Sequence, residues 1–124
     1  MNINIHDIYV PKEQVQFILC SRLDYTISTI KYFLPKSLKN SEILNITTAA
    51  QVEDGYEEKL DLDSKPIEHL GVEIEKYDLL NKSQQDVEAK LHNIKVLIMR
   101  GGNTAYLLEQ MNKCNFEEIL KKKI

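Results

Sequence analysis

This 124-residue sequence has little charge imbalance, few glycines and cysteines, and no long apolar run, and each shortage removes a class of function. Lys and Arg total 16 against 19 Asp and Glu, a formal net charge of -3. Proteins that track phosphates along nucleic acid carry a basic face, so nucleic acid is not an expected partner. The single basic run, Lys121 to Lys123, closes the chain, where lysines complement a helix dipole. Cys20 and Cys114 lie far apart, with neither C-x-x-C nor zinc spacing, which predicts reduced thiols and no metal site. No apolar stretch approaches the ~20 residues needed to span a bilayer, and no basic segment leads into one at the N-terminus. The expectation is a soluble cytoplasmic protein without a membrane partner. Only four glycines are present. None forms the G-x-G-x-x-G of a dinucleotide fold or the G-K-[ST] of a P-loop, so no nucleotide cofactor is expected.

What is present is an alternation of two periods, with no internal repeat. Residues 1–14 read as an N-terminal arm, and 15–124 as one α/β domain, long enough to bury a single core. Val15 to Cys20 is a crowded apolar run, as in a strand covered on both faces. Leu23, Ile27, Ile30 and Leu34 then fall on one helical stripe that Pro35 stops. Ile43 to Ala50 reads as a second strand and Gln51 to Asp63 as a polar loop. Ser64, Pro66 and Gly71 predict a short helix over 64–70. Val72 to Tyr77 alternates like an edge strand with one wetter face. Ser83 with Asp86 forms a capping-box pair ahead of a third helix through Val87, Leu91 and Ile94. Val96 to Met99 and the pattern after it supply a fourth strand and helix, and Asn115 with Glu118 suggests the cap of a last one. Four strand-helix repeats predict a three-layer α-β-α domain around a mostly parallel sheet, since parallel neighbours need crossover connections.

In such sheets ligands bind beyond the carboxyl ends of the strands, which directs attention to the loop after Met99. Gly101 and Gly102 place no side chain in the way. The helix starting near Thr104 offers unpaired N–H groups, so the corner suits an oxyanion or a carboxylate. The same residues also fit a tight strand-to-helix turn with Asn103 or Thr104 as N-cap, and spacing does not choose between these readings.

The run "VLIMRGGNTAYLL", the strand ending in "ITTAA" and the segment "HLGVEIEKYDLL" together resemble the peptidase E (aspartyl dipeptidase) and cyanophycinase group of serine peptidases. The resemblance covers roughly residues 15 to 124. It implies a class I glutamine-amidotransferase-like fold, of which this chain would be the N-terminal, flavodoxin-like half. It also implies that Gly101 and Gly102 lend backbone N–H groups to an oxyanion, that Asn103 and Thr104 shape a substrate pocket, and that the substrates are short Asp-containing peptides.

The chain departs from this pattern where chemistry would occur. The family's nucleophile is a serine in G-x-S-A-G, and none of Ser21, Ser28, Ser37, Ser41, Ser64 or Ser83 sits between such glycines. His6, His69 and His92 read as capping or surface residues. No catalytic residue can be assigned. The expectation is therefore a peptidase E-like chain truncated before its nucleophile and inactive alone. The alternative is a non-catalytic flavodoxin-like module that binds a small anion or assembles with a partner. A sheet lacking its next strand would leave an edge uncovered, which predicts homo-oligomers.

Overall fold

A computed structural model describes residues 17–20, 34, 37–68 and 71–123. The expected arm over 1–14, the strand start at Val15, the first helix through Leu23, Ile27 and Ile30 with its stop at Pro35, and His6 and His69 lie outside the described residues.

The described elements run β1 (Phe17–Cys20), β2 (Ile43–Ile46), α1 (Tyr56–Glu68), β3 (Glu75–Tyr77), α2 (Gln84–Leu91), β4 (Val96–Arg100), α3 (Thr104–Lys113) and α4 (Phe116–Lys123). The strands form one sheet in the order β1-β4-β2-β3, and every pairing is parallel. Cys20 stands opposite Arg100, and Ile46 opposite Met99. All carboxyl ends therefore reach the same rim, with those of β2 and β4 side by side.

The sheet is covered on both faces, as its apolar strands demand. Leu44 and Ile46 of β2 pack with Leu79, Val87, Leu91, Cys114, Phe116 and Ile119, and Leu107 and Met111 lean on this cluster. Helices α2, α3 and α4 thus cover one face. Ile43 faces the other way and packs with Val72, Val96 and Ile98, flanked by Leu34, Leu38 and Ile74. Helix α2 begins as expected: Ser83 is the N-cap, its hydroxyl accepts from Asp86 N–H, and Asp86 reaches back to Ser83 N–H at 2.9 Å. Strand β3 starts at Glu75 rather than Val72, and its Glu75 and Lys76 are exposed, in keeping with the wetter face expected there.

Further local expectations change, and α2 ends at Leu91, short of Ile94. Strand β2 stops at Ile46 rather than Ala50, because Thr47 to Ala50 fold into a turn in which Ala50 N–H donates to Thr47 O at 3.0 Å. The short helix over 64–70 and the polar loop before it give way to α1, which already starts at Tyr56. Its sequence is polar on most sides but rich in the good helix formers Glu, Lys and Leu, and Glu57 and Glu58 lie in the first turn where they favour the dipole. Ser64 is thus inside a helix rather than at its cap, while Gly71 does adopt a left-handed φ of 79°. Asn115 has φ 56°, unlike the extended backbone of an ordinary N-cap. It closes α3 in a left-handed conformation, and its carbonyl accepts the first bond of α4 from Ile119 N–H.

Candidate functional site

Strand β4 delivers Arg100 to the rim, and the chain must then turn at once into α3. Gly101 is half-buried there, while Gly102, Asn103 and Thr104 are exposed. Asn103 is the N-cap: its backbone is extended, at φ -79° and ψ 98°, and its Oδ1 accepts from Tyr106 N–H at 3.0 Å. Thr104 is the first helical residue. The two readings of this stretch coincide, since the tight turn is also a corner open to solvent at the carboxyl end of the sheet.

The corner is braced by the loop after β2. Asn103 N–H donates to Ala49 O at 2.8 Å, so with Tyr106 N–H taken by the cap two of the four first backbone donors of α3 are already committed. Gly102 lies so close beneath that a Cβ would collide with Ala49 O and stand 2.5 Å from Ala49 C, and its φ is 153°. Only glycine satisfies both conditions. Among the described residues the N–H groups of Gly102, Thr104 and Ala105 donate to no acceptor, and they sit where the α3 dipole is positive.

Thr47 to Ala50, the end of the "ITTAA" segment, act as the bracket that makes this possible. All four are buried. Thr47 N–H donates to Tyr77 O at 2.9 Å, and Thr48 Oγ1 accepts from Leu79 N–H at 2.9 Å, tying the bracket to the end of β3. Buried backbone groups need partners, and the two threonines meet that need with short hydroxyls in place of further strand.

Two charged side chains flank the corner that motif reading passed over. Arg100 is buried at the end of β4, and its guanidinium Nη1 donates to Gly101 O at 3.1 Å. Glu53 comes from the loop before α1, and its Oε1 is 2.5 Å from where a Gly102 Cβ would be. Its Oε2 pairs with Lys59 Nζ at 3.4 Å. A lone arginine closing an apolar strand was the available signal for the first. Glu53 sits in a polar stretch with no pattern to single it out.

The remaining candidates serve structure. His92 is the exposed C-cap of α2, and its carbonyl accepts from Lys123 Nζ at 3.5 Å. Ser83 is the cap already described. Cys114 is buried, and that burial raises its thiol pKa. Tyr77 is held between the ammonium groups of Lys82 and Lys90 at 5.4 and 5.5 Å from its ring centre. Burial raises its phenol pKa, with Asp86 adding to the effect. Among the described residues no three His, Cys, Asp or Glu side chains converge into a group able to hold a metal ion, and no helix is long and apolar enough to cross a membrane.

No curated protein matches the chain in sequence. A crystal structure of a Listeria monocytogenes EGD-e protein, provisionally described as a peptidase E, superposes with a TM-score of 0.69 at 20% identity, covering 85% of this chain and 51% of that one. The likeness is one of fold, and the chain spans about half the length of that protein. Residues 17–124 match the model of Peptidase family S51. That match runs from the first residue of β1, through the threonine bracket and the glycine corner, to Ile124: the chain belongs to peptidase family S51.

Proposed function

We propose that this chain supplies the carbonyl-holding side of a peptidase E-like serine hydrolase of short Asp-containing peptides, and that the 124 residues alone bind such peptides without cleaving them. The observation that carries this is the diglycine corner: Gly102, Thr104 and Ala105 carry uncommitted N–H groups in an exposed turn just beyond the carboxyl end of β4, at the dipole-positive end of α3. Donors of this kind stabilise the charge that develops on a carbonyl oxygen under attack, and losing one typically lowers rate by ~10²- to 10³-fold. Nothing in the 124 residues supplies the attack itself, since no serine stands in G-x-S-x-G.

The chain is expected to bind an Asp-X dipeptide in calorimetry and to release no free aspartate from it over prolonged incubation. Turnover abolished by a serine-directed inhibitor would contradict the second half of this reading, and absence of any binding heat the first. A second reading, a non-catalytic module for a small anion, draws on the same uncommitted donors and predicts that inorganic phosphate binds at least as well as the dipeptide.

Assembly belongs to the same proposal. Among the described residues β1, with the apolar sequence FILC, has a neighbour on one side only, and Leu108 on α3 is exposed. An unpaired apolar edge is a template for another strand, and a second copy of this chain fits it.

A further inference from the structure

Two consecutive peptide units make up the glycine corner, and each is held by a bond from a different part of the fold. The unit between Gly102 and Asn103 is held at its N–H, which donates to Ala49 O at 2.8 Å. The unit between Gly101 and Gly102 is held at its carbonyl, which accepts from Arg100 Nη1 at 3.1 Å. This unit is trans, so Gly101 O and Gly102 N–H point in opposite directions from one plane. With the guanidinium on the carbonyl side, the Gly102 N–H is turned away from it, and that N–H has no acceptor among the described residues. A peptide between two glycines is easily lost from such a pose. With no Cβ on either side it rotates about its flanking bonds at little cost, and half a turn exchanges N–H and carbonyl. The corner would then offer an acceptor where a donor had been.

We infer that Arg100 is a positioning residue: its guanidinium clamps the Gly101 carbonyl and so keeps the Gly102 N–H available as a donor. This rests on the reading of the corner as a carbonyl-holding site and names the side chain that fixes its first donor. Alternation along β4 puts Arg100 on the face of Val96 and Ile98, opposite the face of Leu97 and Met99 on which α3 leans, so the clamp and the helix grip the corner from two sides. Arg100 is only 8% exposed. Where water is scarce a charged donor holds a carbonyl more strongly than a neutral one, and it polarises the amide it holds, making the N–H at the far end a better donor.

The test uses the isotope-labelled 124-residue chain, its Arg100→Met and Arg100→Lys variants, and Asp-Ala as the probe. In the wild-type chain the Gly102 amide proton should show no strong cross-relaxation with the Arg100 guanidinium protons, because the trans unit separates them. A strong signal between the two would mean that the N–H itself faces the guanidinium, and overturns the inference. In Arg100→Met the Gly102 amide is expected to lose its response to Asp-Ala while those of Thr104 and Ala105 keep theirs, with affinity falling roughly 2- to 10-fold, the range of one hydrogen bond. Arg100→Lys keeps a charged donor and should restore part of the Gly102 response. A general loss of stability does not imitate this pattern, since it diminishes all three responses together. A Gly102 response that survives in Arg100→Met, or three responses that fall in proportion, overturns the inference and leaves the corner intact. If none of the three amides responds in the wild-type chain, the carbonyl-holding reading fails. The clamp then stands if Arg100→Met shifts the Gly101 carbonyl and Gly102 amide signals of the free chain and Arg100→Lys returns them toward wild type, and it falls otherwise. Should Arg100→Met not fold, the wild-type cross-relaxation and the Arg100→Lys titration decide.

Discussion

Gly102 is constrained twice over, by a φ of 153° that other residues rarely adopt and by Ala49 backbone atoms where a Cβ would go. Backbone cannot yield as a flexible side chain can, so Gly102→Ala must pull α3 away from the bracket and strain the Asn103 bond to Ala49. The expected cost is on the order of 2–4 kcal/mol, from backbone strain and overpacking together. Gly71 is the control. Its φ is 79°, yet nothing stands within 4 Å of a Cβ there, so Gly71→Ala should cost only about 1 kcal/mol. Urea unfolding of the two variants measures the difference; equal losses would show that the close approach to Ala49 contributes nothing. The adjacency of two glycines after an apolar strand was legible in the sequence as a place where backbone comes close to something. What it approaches was not, because Ala49 is 53 positions earlier and becomes a neighbour only through the parallel pairing of β2 with β4.

At the scale of elements, local chemistry decided what could be read in advance. Ser83 and Asp86 stand three apart before an apolar stripe, and the capping box they predict is formed on both sides. The part of the helix from Tyr56 to Asp63 was missed because among its described side chains Leu60 alone reaches the core, so it carries no apolar stripe to announce a period. Strand β2 was drawn four residues too long because threonine suits a strand and a side-chain-bonded turn alike. The capping box also sets an acid limit. The Ser83 backbone N–H, followed by its hydroxyl, lowers the Asp86 pKa, and Lys76 and Lys95 lower those of Asp61 and Glu42. Carboxyl pKa values that are depressed on folding contribute stability above the ordinary value near 4, and the contribution is lost as pH falls through the folded values. Asp86→Asn should therefore be less stable than wild type at pH 7, and the gap should shrink below about pH 4. Unfolding midpoints at pH 7, 5 and 3 check this, and a gap that widens on acidification would be wrong in sign.

For the molecule as a whole, the alternation of periods was enough to foresee a parallel sheet with helices on its faces, and the resemblance of "VLIMRGGNTAYLL" to peptidase E held through family and fold. Strand order was not foreseeable: β4 enters between β1 and β2, which is what brings the glycine corner against the threonine bracket. Nor did spacing reveal that Glu53 and Arg100 lie beside the two glycines, since one comes from a loop and the other ends a strand. The edge at β1 gives a prediction at this scale. Sedimentation at rising concentration should show association of copies, and a single monomeric species up to several hundred micromolar, a bound of about that order, would count against it. The account stands or falls on the corner itself, and residue-resolved amide titration with an Asp-X dipeptide tests that most directly. The prediction is that Gly102, Thr104 and Ala105 shift together and saturate, while the capped and buried amides of α2 stay still. Shifts confined to other parts of the chain, or none at these three residues, would contradict it.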